Sequence, residues 1–184
     1  MNLMHGSDWA GQDVSGWWIS EKLDGWRCLW DGQQFLTRTG NVLDAPGWFM
    51  TGMPAQAMDG ELWAGPRTTH NHVKTAVQTG DWGCLSFRPF DLPMPGVRIE
   101  DAQTVLAVLP LPAHVQPVEY CRATSTQAVI AEMLATVKAG GEGLMARKPA
   151  SRYAAGRQYS SLLKFKPSTV QAAQGGRPCG CDLE

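Results

Sequence analysis

Residues 20–27 read S-E-K-L-D-G-W-R, with a lysine two positions from an aspartate and five from an arginine. Asp-Gly commonly connects antiparallel strands, so one reading is a charged hairpin turn. The other is a lysine held as a nucleophile. An amine attacks phosphorus only in its neutral form, and a lysine at the ordinary pKa of roughly 10.4 is about one part in a thousand neutral near pH 7.5. A nucleophile at Lys22 therefore needs neighbouring cations and partial burial to favour the neutral amine.

Working outward, residues 17–20, 26–31 and 34–37 are short apolar or aromatic runs separated by Asp24-Gly25 and Asp31-Gly32. They predict strands joined as successive hairpins. Further strands are expected at 56–63, 84–91, 115–120, 143–148 and 161–166. Thr68 or Thr69 is placed to cap a helix running to about Thr79 and closed by Gly80. A second helix is expected over 99–109, stopped by Pro110. A third opens at Ser125, carries Ala128, Ile130, Ala131, Leu134 and Val137 as apolar positions, and ends at Gly140-Gly141. The fold class is α+β, with antiparallel sheets and flanking helices. One domain spans residues 1–167, and 168–184 reads as a flexible C-terminal tail rich in Gly, Pro and Gln.

The composition agrees with a cored domain. The chain has 184 residues, 43% hydrophobic and 18% charged, with 20 glycines and 12 prolines that favour turns over long helices. A formal charge of −1 argues against coating nucleic acid by bulk charge, yet permits a local basic groove. Five cysteines in no paired pattern suit reduced thiols, and Cys179-Gly180-Cys181 is too slight to define a metal site. The N-terminal text lacks a signal-peptide pattern and no apolar run reaches a membrane span, so a cytoplasmic protein without membrane contact is expected.

Four more stretches carry charge inside strand-forming text: L-T-R-T-G-N (36–41), M-D-G-E-L-W (58–63), G-E-G-L-M-A-R (141–147) and L-L-K-F-K-P (162–167). Charges on core-lining strands are costly unless paired or functional, so these segments predict one shared cleft. Lys164 and Lys166, separated by Phe165, fall on one strand face. They supply cations for phosphate and for the Lys22 amine. Asp24, Glu61 and Glu142 supply carboxylates for a divalent ion or for ribose hydroxyls. Phe90 with Leu144 or Met145 offers an apolar sandwich for a purine. These ingredients predict nucleotidyl transfer through a covalent lysine–nucleotide intermediate. The tryptophans read as core or platform residues, and H-N-H at 70–72 has no metal-ligand spacing.

The ordered series E-K-L-D-G-W-R, R-T-G, D-G-E-L, F-D-L-P, E-G-L-M and L-L-K-F-K resembles the nucleotidyltransferase motifs of ATP-dependent DNA ligases. The text from Gly16 to Gly65 is similar to the small bacterial Lig E type. The resemblance implies a ligase adenylation (ATP-grasp-like) domain that takes ATP and Mg²⁺ or Mn²⁺ and acts, as a monomer, on nicked duplex DNA. It implies that Lys22 accepts AMP, that Asp24 supports metal and the sealing step, and that Lys164 and Lys166 meet the AMP phosphate. Glu21, Arg27, Glu61, Phe90 and Leu144 would contact the nucleotide. Arg38 would meet the 5′-phosphate of the nick, Arg147 the nick or the ATP phosphates, and Asp24, Glu61 and Glu142 would serve the metal. RNA joining or capping, which shares the lysine chemistry, and a non-catalytic nucleotide-binding module are the alternatives.

Two departures from that pattern stand out. The ligases continue into an oligonucleotide-binding (OB) barrel with a basic terminal motif, whereas roughly 17 residues follow Pro167, too few for five strands. No such barrel is therefore expected, and self-adenylation and duplex affinity are expected to be weak. The text after D-G-E-L-W-A-G is P-R-T-T-H-N-H, unlike its Lig E counterpart.

Overall fold

Nine strands, β1 (Met4–Asp8), β2 (Trp18–Glu21), β3 (Trp26–Trp30), β4 (Phe35–Thr37), β5 (Met58–Trp63), β6 (Ser86–Asp91), β7 (Cys121–Arg122), β8 (Leu144–Arg147) and β9 (Gly156–Phe165), divide into two sheets. The computed structural model describes residues 2–173. One sheet has the order β1-β9-β8-β2-β7 and the other β4-β3-β5-β6. All pairings are antiparallel except β1 with β9, which is parallel. Among the described residues five α-helices complete the fold: α1 (Gly47–Met50), α2 (His70–Thr79), α3 (Ile99–Val108), α4 (Thr126–Lys138) and α5 (Pro167–Ala173).

The first predicted hairpin is not one. β2 and β3 belong to different sheets, so Asp24-Gly25 carries the chain from one sheet to the other. Gly25 is required by close approach: a Cβ there would lie 2.1 Å from the Leu62 carbonyl oxygen and 2.7 Å from Glu61 Cγ. The second hairpin forms as read, β3 pairing with β4 through the turn at Gly32, whose φ is 103°.

Each sheet buries one face in its own apolar cluster. Beneath β3–β6, Phe35, Phe49, Trp82 and Phe87 interlock, with ring centroids of Phe49 and Trp82 4.9 Å apart and of Phe35 and Phe87 5.1 Å apart. Under β2, β8 and β9, Ile19, Val129, Met133, Leu144, Leu163 and Phe165 pack together. In α2, Thr69 is the N-cap and Gly80 the left-handed C-cap, φ 77°, as the sequence indicates. In α4, Ser125 Oγ accepts the Ala128 N–H, and Val129 and Met133 are the buried positions.

Three expectations are corrected. Residues 115–120 form no full strand: a bridge joins Phe87 to Val115, and the Gln116 and Val118 N–H groups donate to the Phe87 and Pro89 carbonyls of β6 at 3.0 and 2.9 Å, but Pro89 has no N–H to continue the ladder. Leu134 does not reach the core and is 54% exposed. Residues 168–173 are not a flexible tail. They continue into α5, whose buried Val170 packs into the β2–β8–β9 cluster. Cys179 and Cys181 lie outside the described residues.

Candidate active site

A cleft of about 770 Å³ is walled by both sheets, with residues from β1, β2, β8 and β9 on one side and from β3, β5 and β6 on the other. That volume is in the range of small-ligand sites. Lys22, Arg27, Glu61, Phe90, Lys164 and Lys166 all line it. Residues spread over the whole sequence are thus brought together as the motif reading requires.

Lys22 leaves β2 at the crossing between sheets, and its N–H donates to the Gly143 carbonyl at 2.9 Å. Its ammonium group pairs with Glu142 Oε2, while Lys166 pairs with Oε1 of the same carboxylate. Burial would raise the Glu142 pKa, but hydrogen bonds from Lys166 and Lys22 outweigh it and hold the carboxyl below its usual range. Gly143 makes the approach possible. Its φ is 147°, and a Cβ would sit 2.1 Å from the Phe165 carbonyl oxygen. The glycine of E-G-L-M therefore lets the backbone around Lys22, Glu142 and Lys166 close up, while that of K-L-D-G lets the turn after Lys22 approach β5.

Beneath the cleft lies a buried polar cluster. Asp59 is fully buried, accepts the Arg27 Nε–H at 3.0 Å, and accepts the Tyr153 hydroxyl at 2.8 Å. Burial disfavours the charged Arg27 guanidinium, yet its pairing with Asp59 raises the pKa overall. The Arg27 guanidinium stands 5.2 Å from the Phe90 ring centroid. Glu61 faces the same space and is surrounded mainly by protein, although a strip of its side chain opens to the cleft. Burial pushes its carboxyl up to about 8, against the pull of Lys22 and Arg27. Lys164 stands 3.6 Å from Asp8.

Several expected residues lie elsewhere. Leu144 points into the core and is 2% exposed, whereas Met145 lines the cleft, because neighbours on β8 face opposite ways. Arg147 lines the cleft as a buried wall residue and does not extend from it to a duplex. It is 3% exposed, its Nε donates to Ser151 Oγ at 2.6 Å, and it pairs with buried Asp91 at 3.2 Å. Burial raises Asp91 to about 6, opposed first by Arg147.

Asp24 borders a second, smaller cavity of about 90 Å³ together with Glu21 and Glu142, and Glu21 borders both spaces. The trio Asp24, Glu61 and Glu142 is therefore not gathered around one point. Among the described residues no set of three or more His, Cys, Asp or Glu side chains converges to hold a metal ion. Arg38 is exposed at the cleft mouth.

The sequence reading missed Asp59, Tyr153, Asp91 and His70. Asp59 stood in plain view in M-D-G-E-L-W, and its diagonal relation to Arg27 across β3 and β5 was the available signal. The departing segment P-R-T-T-H-N-H supports the lysine turn from outside. The His70 N–H donates to Asp24 Oδ1 at 3.2 Å, and His70 Nδ1 is 2.8 Å from the Gly25 carbonyl.

No family model matches the chain. A DNA ligase from Haemophilus influenzae is 34% identical over 177 residues, covering 89% of this chain and 62% of that protein. The chain thus spans less than two thirds of the curated relative it matches. A structure from a study of Lig E DNA ligases, on DNA binding with a minimal scaffold, aligns with a TM-score of 0.82 at 28% identity, over 90% of this chain and 68% of that one. The fold is that of an ATP-dependent DNA ligase catalytic domain. Chlorella virus DNA ligase-adenylate shares this ligase fold, with a TM-score of 0.71 at 22% identity over 90% of this chain and 67% of that one. A mycobacterial DNA ligase D complexed with ATP and MES shares it too, with a TM-score of 0.67 at 23% identity, over 91% of this chain and 60% of that chain. In this chain Lys22 and Lys166, which line the cleft, meet on Glu142 at its edge.

Proposed function

We propose that this chain carries the catalytic activity of an ATP-dependent DNA ligase. Lys22 attacks the α-phosphorus of ATP. A phosphorus–nitrogen bond forms, the α–β phosphoanhydride bond breaks, and pyrophosphate leaves. The AMP then passes to the 5′-phosphate of a nick, releasing the Lys22 amine, and a 3′-hydroxyl displaces AMP to form the phosphodiester. The observation that carries this reading is that Lys22 and Lys166, both lining a cleft of nucleotide size, converge on Glu142.

The remaining side chains suit the same substrates. Phe90 and Met145 offer apolar surface for adenine, and Glu61 faces the space for ribose hydroxyls. Lys164 and Lys166 neutralise phosphate charge as it develops. Lysine pairing with Glu142 keeps Lys22 seated until ATP phosphates compete for the cations. A Mg²⁺ or Mn²⁺ ion suits a mode in which most of its ligands are ATP phosphates and water, with Glu142 as the protein carboxylate, and it would offset phosphate charge there. The chain is proposed to act as a monomer on nicked duplex DNA.

Nick sealing tests this directly. With ATP, and separately with DNA already bearing a 5′-AMP, the chain is expected to join a nicked duplex and to leave nicked RNA unjoined. RNA joined in preference to DNA would favour the RNA-ligase alternative. Joining of neither substrate, with no AMP on the protein, would favour a nucleotide-binding module.

A further inference from the structure

The ladder between β2 and β8 stops short of the residues it serves. Its last pair is Glu21 with Leu144. One further backbone bond, from the Lys22 N–H to the Gly143 carbonyl, closes the end of the ladder. Beyond it, no hydrogen bond among the described residues joins the turn at 23–25 directly to the loop at 139–141. Yet the pairing of Lys22 with Glu142 depends on where both of these connections stand.

The segment G-P-R-T-T-H-N-H (65–72), whose text departs from the Lig E pattern, touches both. At one end His70 holds the Asp24 carboxylate and the Gly25 carbonyl. At the other, Arg67 lies across the end of α4. Its Nε–H points at the carbonyl of Ala139, the C-cap, at 3.4 Å. Its stem covers Gly140, where a Cβ would stand 2.6 Å from Arg67 Cγ. A cation suits the partial negative charge of a helix C-terminus. Arg67 reaches this place with a φ of 62°, and among the described residues only it and Ala150 are non-glycine residues with positive φ. That conformation is unfavourable for a residue with a Cβ and persists where the surroundings impose it. Arg67, Asp24, Gly140 and Glu142 border the smaller cavity of about 90 Å³, so the segment spans the gap between the two connections.

We infer that Arg67 is a positioning residue: with His70 it braces the turn after Lys22 against the loop before Glu142, and so fixes the carboxylate on which Lys22 and Lys166 meet. Arg67 is not among the residues lining the nucleotide-sized cleft, so it acts through Glu142 and not on the substrate. The inference rests on the ligase reading for the reaction that the brace serves.

Two measurements on the full chain separate a brace from general stability. In hydrogen exchange followed residue by residue by NMR, Arg67→Ala is expected to speed exchange about tenfold at 139–143 and also at the Lys22 amide, which has no hydrogen bond to Arg67. Faster exchange confined to 139–141, or no change, would overturn the inference. In labelling of Lys22 by ATP, the same variant should slow AMP transfer about tenfold while KM for ATP changes less than about twofold. Arg67→Gly relieves the left-handed backbone and should melt at or above the temperature of Arg67→Ala, yet react as slowly. Arg67→Lys, which keeps a stem and a charge, should recover part of the rate. Rates that simply follow melting temperature across these variants, or a loss expressed in KM alone, would also overturn the inference. Absence of AMP on the unsubstituted chain would sink the ligase reading, while exchange at the Lys22 amide would still decide for or against the brace.

Discussion

Burial pushes the carboxyl of Glu61 well above the ordinary glutamate range. Its unfolded carboxyl ionises near 4.5 and its folded one near 8, because burial penalises the charge. Between those values the folded chain binds more protons than the unfolded one, so stability falls as pH rises through that window. Glu61→Gln should flatten the decline in melting temperature between about pH 5 and 8. An equally steep decline in the variant would assign the effect to other groups. His70 acts from the other side of the lysine turn, through its contacts with Asp24 and Gly25. His70→Ala should slow AMP transfer to Lys22 by about tenfold, since small displacements of a nucleophile are costly. His70→Asn, which keeps a side-chain donor, should recover part of the rate, and equal rates in all three proteins would remove His70 from the account. Lys22, Glu142 and Lys166 were legible in the sequence because motif order fixes them. His70 was not, because its part depends on where α2 begins relative to a turn 45 residues earlier.

At the scale of elements, the motif glycines limit how closely strands can meet. Gly143→Ala would drive a Cβ into the Phe165 carbonyl from a φ of 147°. The variant should lose about 2–3 kcal/mol in denaturant unfolding, combining overpacking with backbone strain. A loss within about 0.5 kcal/mol would show that β8 and β9 can separate freely there. Caps and turn glycines announced α2 and α4, because their cause is local. The burial face of α4 was misjudged because Leu134 and Met133 are both apolar, and only the packing of α4 against β2, β8 and β9 chooses between them. The sheet change at Asp24-Gly25 was invisible for the same reason. An Asp-Gly pair signals a turn, but the partners of the strands on either side are set by distant sequence.

Across the whole molecule, Asp59 joins parts that the sequence keeps far apart. It binds Arg27 of β3 and Tyr153 ahead of β9, and Tyr153 in turn accepts the Met4 N–H at 3.2 Å on β1. Both sheets are thereby tied beneath the cleft. Asp59→Ala would leave a largely buried guanidinium without its counter-ion and should cost about 3–5 kcal/mol, seen as a lowered melting temperature. A variant as stable as the parent would mean that the sheets are held by their apolar clusters alone.

The central claim is that the Lys22 amine becomes covalently bonded to AMP. Incubation with ATP and a divalent ion, followed by mass spectrometry of the proteolysed chain, measures this most directly. The account predicts an acid-labile AMP adduct on the peptide containing Lys22, absent when ATP is omitted and absent from Lys22→Ala. An adduct on another residue, or one that survives the Lys22→Ala substitution, would contradict it.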